Sequence, residues 1–242
     1  MTRLLNGIVA FGSALLLAVT LIGAGFAAVA IPDAATATLS RAFSGCDQPN
    51  TPFTADELAS MAIAGKHYTF DDNDREKLDT AIAEANAAAE ADGRATASTR
   101  ESAARSLPAD AISHLDDVYR VASVAKPALM IVAVLCIAGL AHVAVRIGQR
   151  ALDRTLIAGG GLVLAAFFAL GAWATIDFDG LFAAFHSLFF QAGTWTFPYD
   201  SLLITLYPTA FWMGMGGIWL AVTCIASIIC IIVGRLLRSE TE

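Results

Sequence analysis

The sequence predicts an all-α membrane protein with four transmembrane helices and a small extracytoplasmic domain between the first and second helix. Three observations predict it. Apolar residues make up 57% of the 242 residues and the mean hydropathy is clearly positive, more than a soluble domain of this length needs. The charges concentrate between Asp33 and Lys126, with long charge-free stretches on either side. The Arg residues outside that region fall in short flanks of those stretches, as they do around membrane spans. A net charge of −7 argues against nucleic acid as a partner.

Spanning hydrocarbon takes about 20 apolar residues in a helix, and in lipid only an intra-segment hydrogen-bond ladder satisfies the backbone. The first such stretch is residues 4–31. Met1 to Ala30, with its basic start and Ala-Val-Ala ending, also has features of a cleaved signal peptide. Its apolar run exceeds a normal signal core, so a retained span is expected. The second span is expected over 127–145, the third over 155–176 and the fourth over 208–234. Arg3 precedes the first, Arg146, Arg150 and Arg154 form the 146–154 loop, and Arg235 and Arg238 lie in the 235–242 tail. The positive-inside rule places both termini and the Arg-rich loop in the cytoplasm of a multi-pass membrane protein. Residues 32–126 and the 177–207 loop, with its interfacial helix, then face outward. Outward-facing chemistry has only these two places to assemble.

Within the outer domain, Thr54-Ala-Asp-Glu57 reads as a capping box, with Phe53 and Leu58 as a hydrophobic staple. A short helix is expected over about 55–64, with Gly65 as its stop. Asp71 to Ala104, rich in Ala and acids, reads as a solvated helix with a flexible stretch at Gly93–Thr99. Ser106 is the expected cap of a helix with Pro108 in its first turn. That helix carries Ile112, His114, Asp117, Val118 and Val121 along one face. It can continue into the second span, with Pro127 as a possible bend.

Cys136, Cys224 and Cys230 lie inside apolar segments, and Cys46 has no second thiol near it in sequence, so no disulfide framework is expected. There is no glycine-rich phosphate loop, GxSxG elbow or HExxH motif. Gly159-Gly160-Gly161 reads as a site of close helix packing. The span cores lack ionisable residues, against a transporter or pump. Two histidines with Asp117 fall short of the three firm ligands of an open zinc site, so neither metal nor cofactor is expected.

The histidines differ. His67 reads as a solvated surface group and His142 as a structural residue near the cytoplasmic end of the second span. His114 and His186 both belong to the outward side. Asp117 follows His114 at i+3, with Asp116 as a near alternative, while His186 sits in the amphipathic run Phe182-Ala-Ala-Phe-His186-Ser-Leu-Phe-Phe190. A polar ring in such company needs a partner. Each alone reads equally well as a satisfied structural histidine.

Two stretches together carry a resemblance. His114-Leu-Asp-Asp117-Val ahead of a span resembles a His-x-x-Asp-Val signature. Phe185-His186-Ser-Leu-Phe189-Phe190, Trp195, Asp200 and Pro208 resemble a Phe-His-x-x-Phe-Phe…Trp…Asp…Pro pattern before a last span. Ala192 and Gly193 replace an Asn and Asp of that pattern. Both stretches are similar to those of the lipoprotein intramolecular transacylases, small integral membrane proteins of Gram-positive bacteria. The resemblance implies a four-helix membrane bundle under a small outer domain. It also implies transfer of an acyl chain from the diacylglyceryl sn-2 oxygen to the α-amine of a lipoprotein's N-terminal cysteine. The partners implied are the diacylglyceryl lipoprotein and membrane lipid. His114 and His186 match the family's catalytic pair, Asp117 would fix the tautomer of His114, and Phe189, Phe190, Trp195 and Asp200 would serve substrate binding. Competing readings are a two-histidine enzyme acting on another lipid ester and a non-catalytic membrane protein with a partner-binding outer domain. Oligomeric state is not legible.

Overall fold

The computed structural model describes residues 2–95 and 103–239. Those residues contain helices and connections and no strand. The long helices are α1 (Thr2–Ala30), α5 (Ala109–His142), α6 (Gln149–Ile176) and α9 (Thr209–Ser239). All four are long and apolar enough to cross a bilayer. Between and after them lie α2 (Asp33–Phe43), α3 (Ala55–Phe70), α4 (Arg75–Ala91), α7 (Phe178–Phe189) and the short α8 (Leu202–Leu206). A π-helical turn, Val143–Ile147, follows α5 and ends at Gly148, whose φ of 116° favours glycine.

At 1.5 Å per residue the 34 residues of α5 run about 51 Å, well beyond a hydrocarbon core of ~30 Å. Its charges, from Asp110 to Lys126, all precede Pro127, and the uncharged stretch that matches a bilayer begins there. His114 lies ahead of it. Pro127 sits inside α5 without ending it.

The chain divides into two compact units. The first is built from Met1–Val29, Ala125–Leu181 and Ile218–Glu242. Its core joins Leu17, Ala18, Leu21, Cys136, Val163 and Phe167, with Trp219 packed alongside. Close approach explains two glycines of the triplet, Gly159 and Gly160. A Cβ on Gly159 would stand 3.0 Å from the Ala14 carbonyl, and one on Gly160 would stand 2.7 Å from the Ser227 carbonyl. Without them α6 reaches its neighbours nearly backbone to backbone, the contact that dispersion rewards in lipid. Trp219 donates its indole N–H to the Ile22 carbonyl (3.1 Å).

The second unit is built from Ala30–Val124 and Phe182–Gly217. α3 packs between α2 and α4. The Thr54–Glu57 capping box forms as read, and Phe53 and Leu58 are buried in the core with Met61, Leu78, Ile82, Leu115, Leu202 and Leu206. Buried Lys66 ties the start of this unit together, donating to the Ile31 carbonyl (2.7 Å) and pairing with Asp33.

The structure corrects several local expectations. α3 does not stop at Gly65 but runs to Phe70. A Cβ there would collide with the Tyr207 hydroxyl, which donates to the Ala62 carbonyl (2.6 Å), so the glycine serves packing and not helix termination. α4 is more than a solvated insertion, because Leu78, Ile82, Ala85 and Ala89 bury one face. Ser106 lies before the helix it was expected to cap. α5 starts at Ala109, with the Pro108 carbonyl accepting from Ile112 N–H. α6 begins before residue 155, taking in Arg150, Asp153 and Arg154. Of the Gly93–Thr99 stretch, residues 96–99 lie outside the described residues.

Candidate active site

The first half of α5 presents His114 from a buried face. Ala111, Ile112 and Leu115 sink into the core of the second unit, so the helical repeat carries His114 inward with them. Asp116, on another face, is held by Tyr68, whose hydroxyl donates to it (2.5 Å), and by the Asn73 amide (3.4 Å). That clamp sets the rotation of α5, and the imidazole is 8% exposed.

His186 comes from α7, an apolar helix none of whose side chains is fully buried. Its Nδ1 lies 2.8 Å from the Phe182 carbonyl one turn earlier. A carbonyl only accepts, so Nδ1–H donates and the Nε2 lone pair of the neutral ring is left for other work.

The two imidazoles, distant in sequence, lie with ring centroids 6.2 Å apart and planes 29° from parallel. Aromatic rings close around them. Phe190 is 4.9 Å from His114 and 5.7 Å from His186. Phe197 is 5.5 Å from His114, and Phe182 and Trp195 are 4.0 and 4.8 Å from His186. Such surroundings disfavour charge. Desolvation, assisted by the neighbouring His186, pushes the His114 imidazole down to about 4 against the opposing pull of Asp117. Desolvation also lowers His186, opposed by its bond to the Phe182 carbonyl. Both rings are therefore neutral near pH 7. Two buried polar atoms in this cluster, His114 Nδ1 and Trp195 Nε1, have no hydrogen-bond partner among the described residues.

The family model described as lipoprotein intramolecular transacylase Lit matches residues 89–212, which include both histidines and every ring around them. The chain belongs to this family. Solved structures of the membrane integral Lit of Bacillus cereus share its fold. One superposes with a TM-score of 0.73 at 16% identity, covering 98% of this chain and 97% of that one. A variant of the same protein with a histidine changed to alanine gives 0.70, also at 16% identity, covering 99% of this chain and 96% of that one. An uncharacterized protein of Aquifex aeolicus (strain VF5) is 29% identical over 101 residues, spanning 42% of this chain and 44% of that relative. Less than half of that relative's length is thus matched. As a Lit-family member with four spanning helices, the chain is a multi-pass membrane protein.

The structure brings some of the expected Lit site residues together and leaves others apart. His114, His186, Phe190 and Trp195 share one cluster. Asp117 does not hydrogen-bond His114. Its carboxylate takes the Arg120 guanidinium (2.8 Å), because Arg120 lies one turn further along the same face. Both residues line a cleft of about 400 Å³ with Val121, Phe189 and Phe190. Asp200 is exposed, in the turn ahead of α8. His67 is only half-exposed and is held between Asp71 and Asp33, and His142 is exposed at the end of α5. Phe182 and Phe197 are the neighbours that sequence reasoning did not assign. Phe182 stands one helical turn before His186, a signal available in the spacing, whereas Phe197 arrives through the loop with no local signal. Among the described residues, no group of three His, Cys, Asp or Glu side chains is placed to hold a metal ion.

Proposed function

We propose that this chain is a membrane acyltransferase acting on bacterial lipoproteins. It moves an acyl chain from the diacylglyceryl sn-2 oxygen to the α-amine of the N-terminal cysteine, giving the lyso-form N-acyl lipoprotein. The reading is carried by one observation: the two motif histidines meet, 6.2 Å apart, inside an aromatic enclosure. Family membership sets the reaction class.

The chemistry needs a base, a stabiliser and little else. The α-amine nitrogen attacks the sn-2 ester carbonyl carbon, and a C–N bond forms. The amine proton passes to His186 Nε2, whose lone pair is free because Nδ1–H is committed to Phe182. The tetrahedral intermediate collapses with cleavage of the carbonyl carbon to glyceryl oxygen bond, and His186 returns the proton to that oxygen. Amide and free sn-2 hydroxyl result, with no water consumed and no acyl-enzyme. Holding amine and ester on one molecule removes most of the encounter entropy. An enclosure of aromatic rings disfavours water at the reacting ester and strengthens each polar contact. A proton on His186 disfavours one on His114, and Asp117 acts on His114 through its charge and not through a bond. In the neighbouring cleft Val121, Phe189 and Phe190 give an acyl chain an apolar wall, while Asp117, Arg120, Gln191 and Thr194 make the rest of its lining polar. With the Arg residues in the flanks described above, the second unit faces outward and both termini face the cytoplasm.

The test is to incubate the purified protein with a diacylglyceryl model lipoprotein and fragment the N-terminal lipopeptide by tandem mass spectrometry. Intramolecular transfer leaves the total mass unchanged, so fragments locating the acyl chain on nitrogen are the readout. N-acylation by the wild type, lost in His114→Ala and His186→Ala, is expected. An unmodified amine from folded, membrane-embedded wild type would refute the reading.

A further inference from the structure

We infer that the indole N–H of Trp195 is the hydrogen-bond donor to the ester oxygen as it becomes an oxyanion. The inference rests on the transacylase reading and gives the aromatic enclosure a polar task. It starts from the two orphaned atoms of the cluster. Trp195 Nε1 is buried and has no partner among the described residues. A buried donor without an acceptor loses its full desolvation energy, so such atoms are rare and call for a reason. An indole N–H only donates. Its missing partner must therefore be an acceptor, which excludes the substrate's ammonium and points to an oxygen.

Position narrows the choice. The Trp195 ring lies 4.8 Å from His186 at 33°. The ring that accepts the amine proton and the ring that carries the indole donor are thus direct neighbours in one cluster. His186 itself cannot supply the donor at the moment of attack, because Nδ1–H is held by the Phe182 carbonyl and Nε2 is empty of a proton. Some other group has to meet the charge that develops on oxygen. No lysine or arginine touches the imidazoles through the contacts described above, so a neutral N–H is the donor at hand: that of His114, whose buried Nδ1 is also unpartnered, or that of Trp195, whose indole can only donate. A neutral donor also suits the pair electrostatically. A fixed cation there would hold both imidazoles unprotonated more strongly and oppose transfer of the amine proton to His186. The indole stabilises the oxyanion without that penalty.

The aromatic face and the N–H are separable by Trp195→Phe, which keeps a ring beside His186 and removes the donor. Three readouts are needed, all on the full-length protein in lipid or detergent. The first is transacylation, where kcat falls about 10²–10³-fold with KM nearly unchanged, the loss typical of one oxyanion donor. The second is binding of a diacylglyceryl lipopeptide analogue carrying a phosphonate anion at the sn-2 acyl carbon, against an sn-2 ether control. Trp195→Phe weakens the phosphonate and leaves the ether as it was. The third is the ¹⁵N-indole resonance of Trp195 in the wild type, assigned by its loss in the variant, which moves downfield with phosphonate and not with ether. A variant with kcat within threefold of wild type and unchanged phosphonate binding overturns the inference. So does equal weakening of phosphonate and ether, which marks a purely packing role. Should Trp195→Phe fail to fold, the wild-type indole resonance decides: no selective movement with phosphonate refutes the donor. Wild type that grips the phosphonate through the indole yet leaves the amine unacylated would overturn the transacylase reading and keep the donor assignment.

Discussion

The neutral state of His114 has a measurable consequence for stability. In an unfolded chain an imidazole titrates at about 6.5, whereas in the native enclosure His114 takes a proton only near 4. Between these values the unfolded chain binds more protons than the native one, so acid favours unfolding. The contribution is fully present above pH 6.5, is lost progressively as the pH falls toward 4, and changes no further below that. The interval corresponds to about 3 kcal/mol. His114→Gln removes the titration while keeping a polar side chain of similar reach. The assay is reversible unfolding in detergent micelles across pH 7.5 to 3.5, wild type beside the variant. Other acid-sensitive groups away from the pair, among them the Arg94-paired Glu57, are common to both proteins and cancel in the difference, while His186 enters only through its coupling to His114. Wild type is expected to lose about 3 kcal/mol more than His114→Gln over that range. An imidazole NMR titration gives the same quantity directly. Parallel loss in the two proteins, or a His114 resonance titrating near 6.5, would refute the desolvated enclosure.

Two further predictions concern packing. Gly65→Ala drives a methyl into the Tyr207 hydroxyl and is expected to cost about 1–3 kcal/mol by breaking a buried hydrogen bond. In a Tyr207→Phe background the same change should cost much less, and equal costs in the two backgrounds would disprove the contact. Gly160→Leu meets the Ser227 carbonyl and Ile231, so it should abolish thermal stability in detergent, while Gly161→Ala, with open space around it, should hold or slightly raise it.

The membrane spans were legible because a charge-free apolar run of about 20 residues is rarely compatible with a water-soluble fold. The capping box at Thr54 was legible because its partners are three residues apart. A shared outward side for His114 and His186 was expected from the flanks of the spans, and the family resemblance strengthened their pairing, since no local periodicity relates residues from helices so far separated. What was missed is long-range. α8 is five residues long, too short to announce itself. It exists because Ser201 caps it and because Gly45 N–H and the Ser44 hydroxyl reach across to the Thr205 and Leu206 carbonyls. Gly65 reads as a stop because glycine weakens a helix, and only Tyr207, arriving from a later loop, reverses that sign. The buried face of α4 was present in the spacing of Leu78, Ile82, Ala85 and Ala89, but its small side chains and flanking acids conceal it in composition. Asp117 was assigned to His114 by sequence proximity, and Arg120, equally near on the helix, takes it instead.

α7 carries His186 yet buries none of its side chains fully, and Phe185, Leu188 and Phe189 stand 50%, 76% and 48% exposed. A surface so apolar is not left to water. In a membrane its remaining contacts are with amphiphiles, so under the proposed acyl transfer the medium forms the outer wall of the histidine enclosure. Acyl-chain length, fluidity and the identity of the solubilising agent then enter the rate law as though they were residues. On that reading, kinetic constants from different micelles describe different chambers.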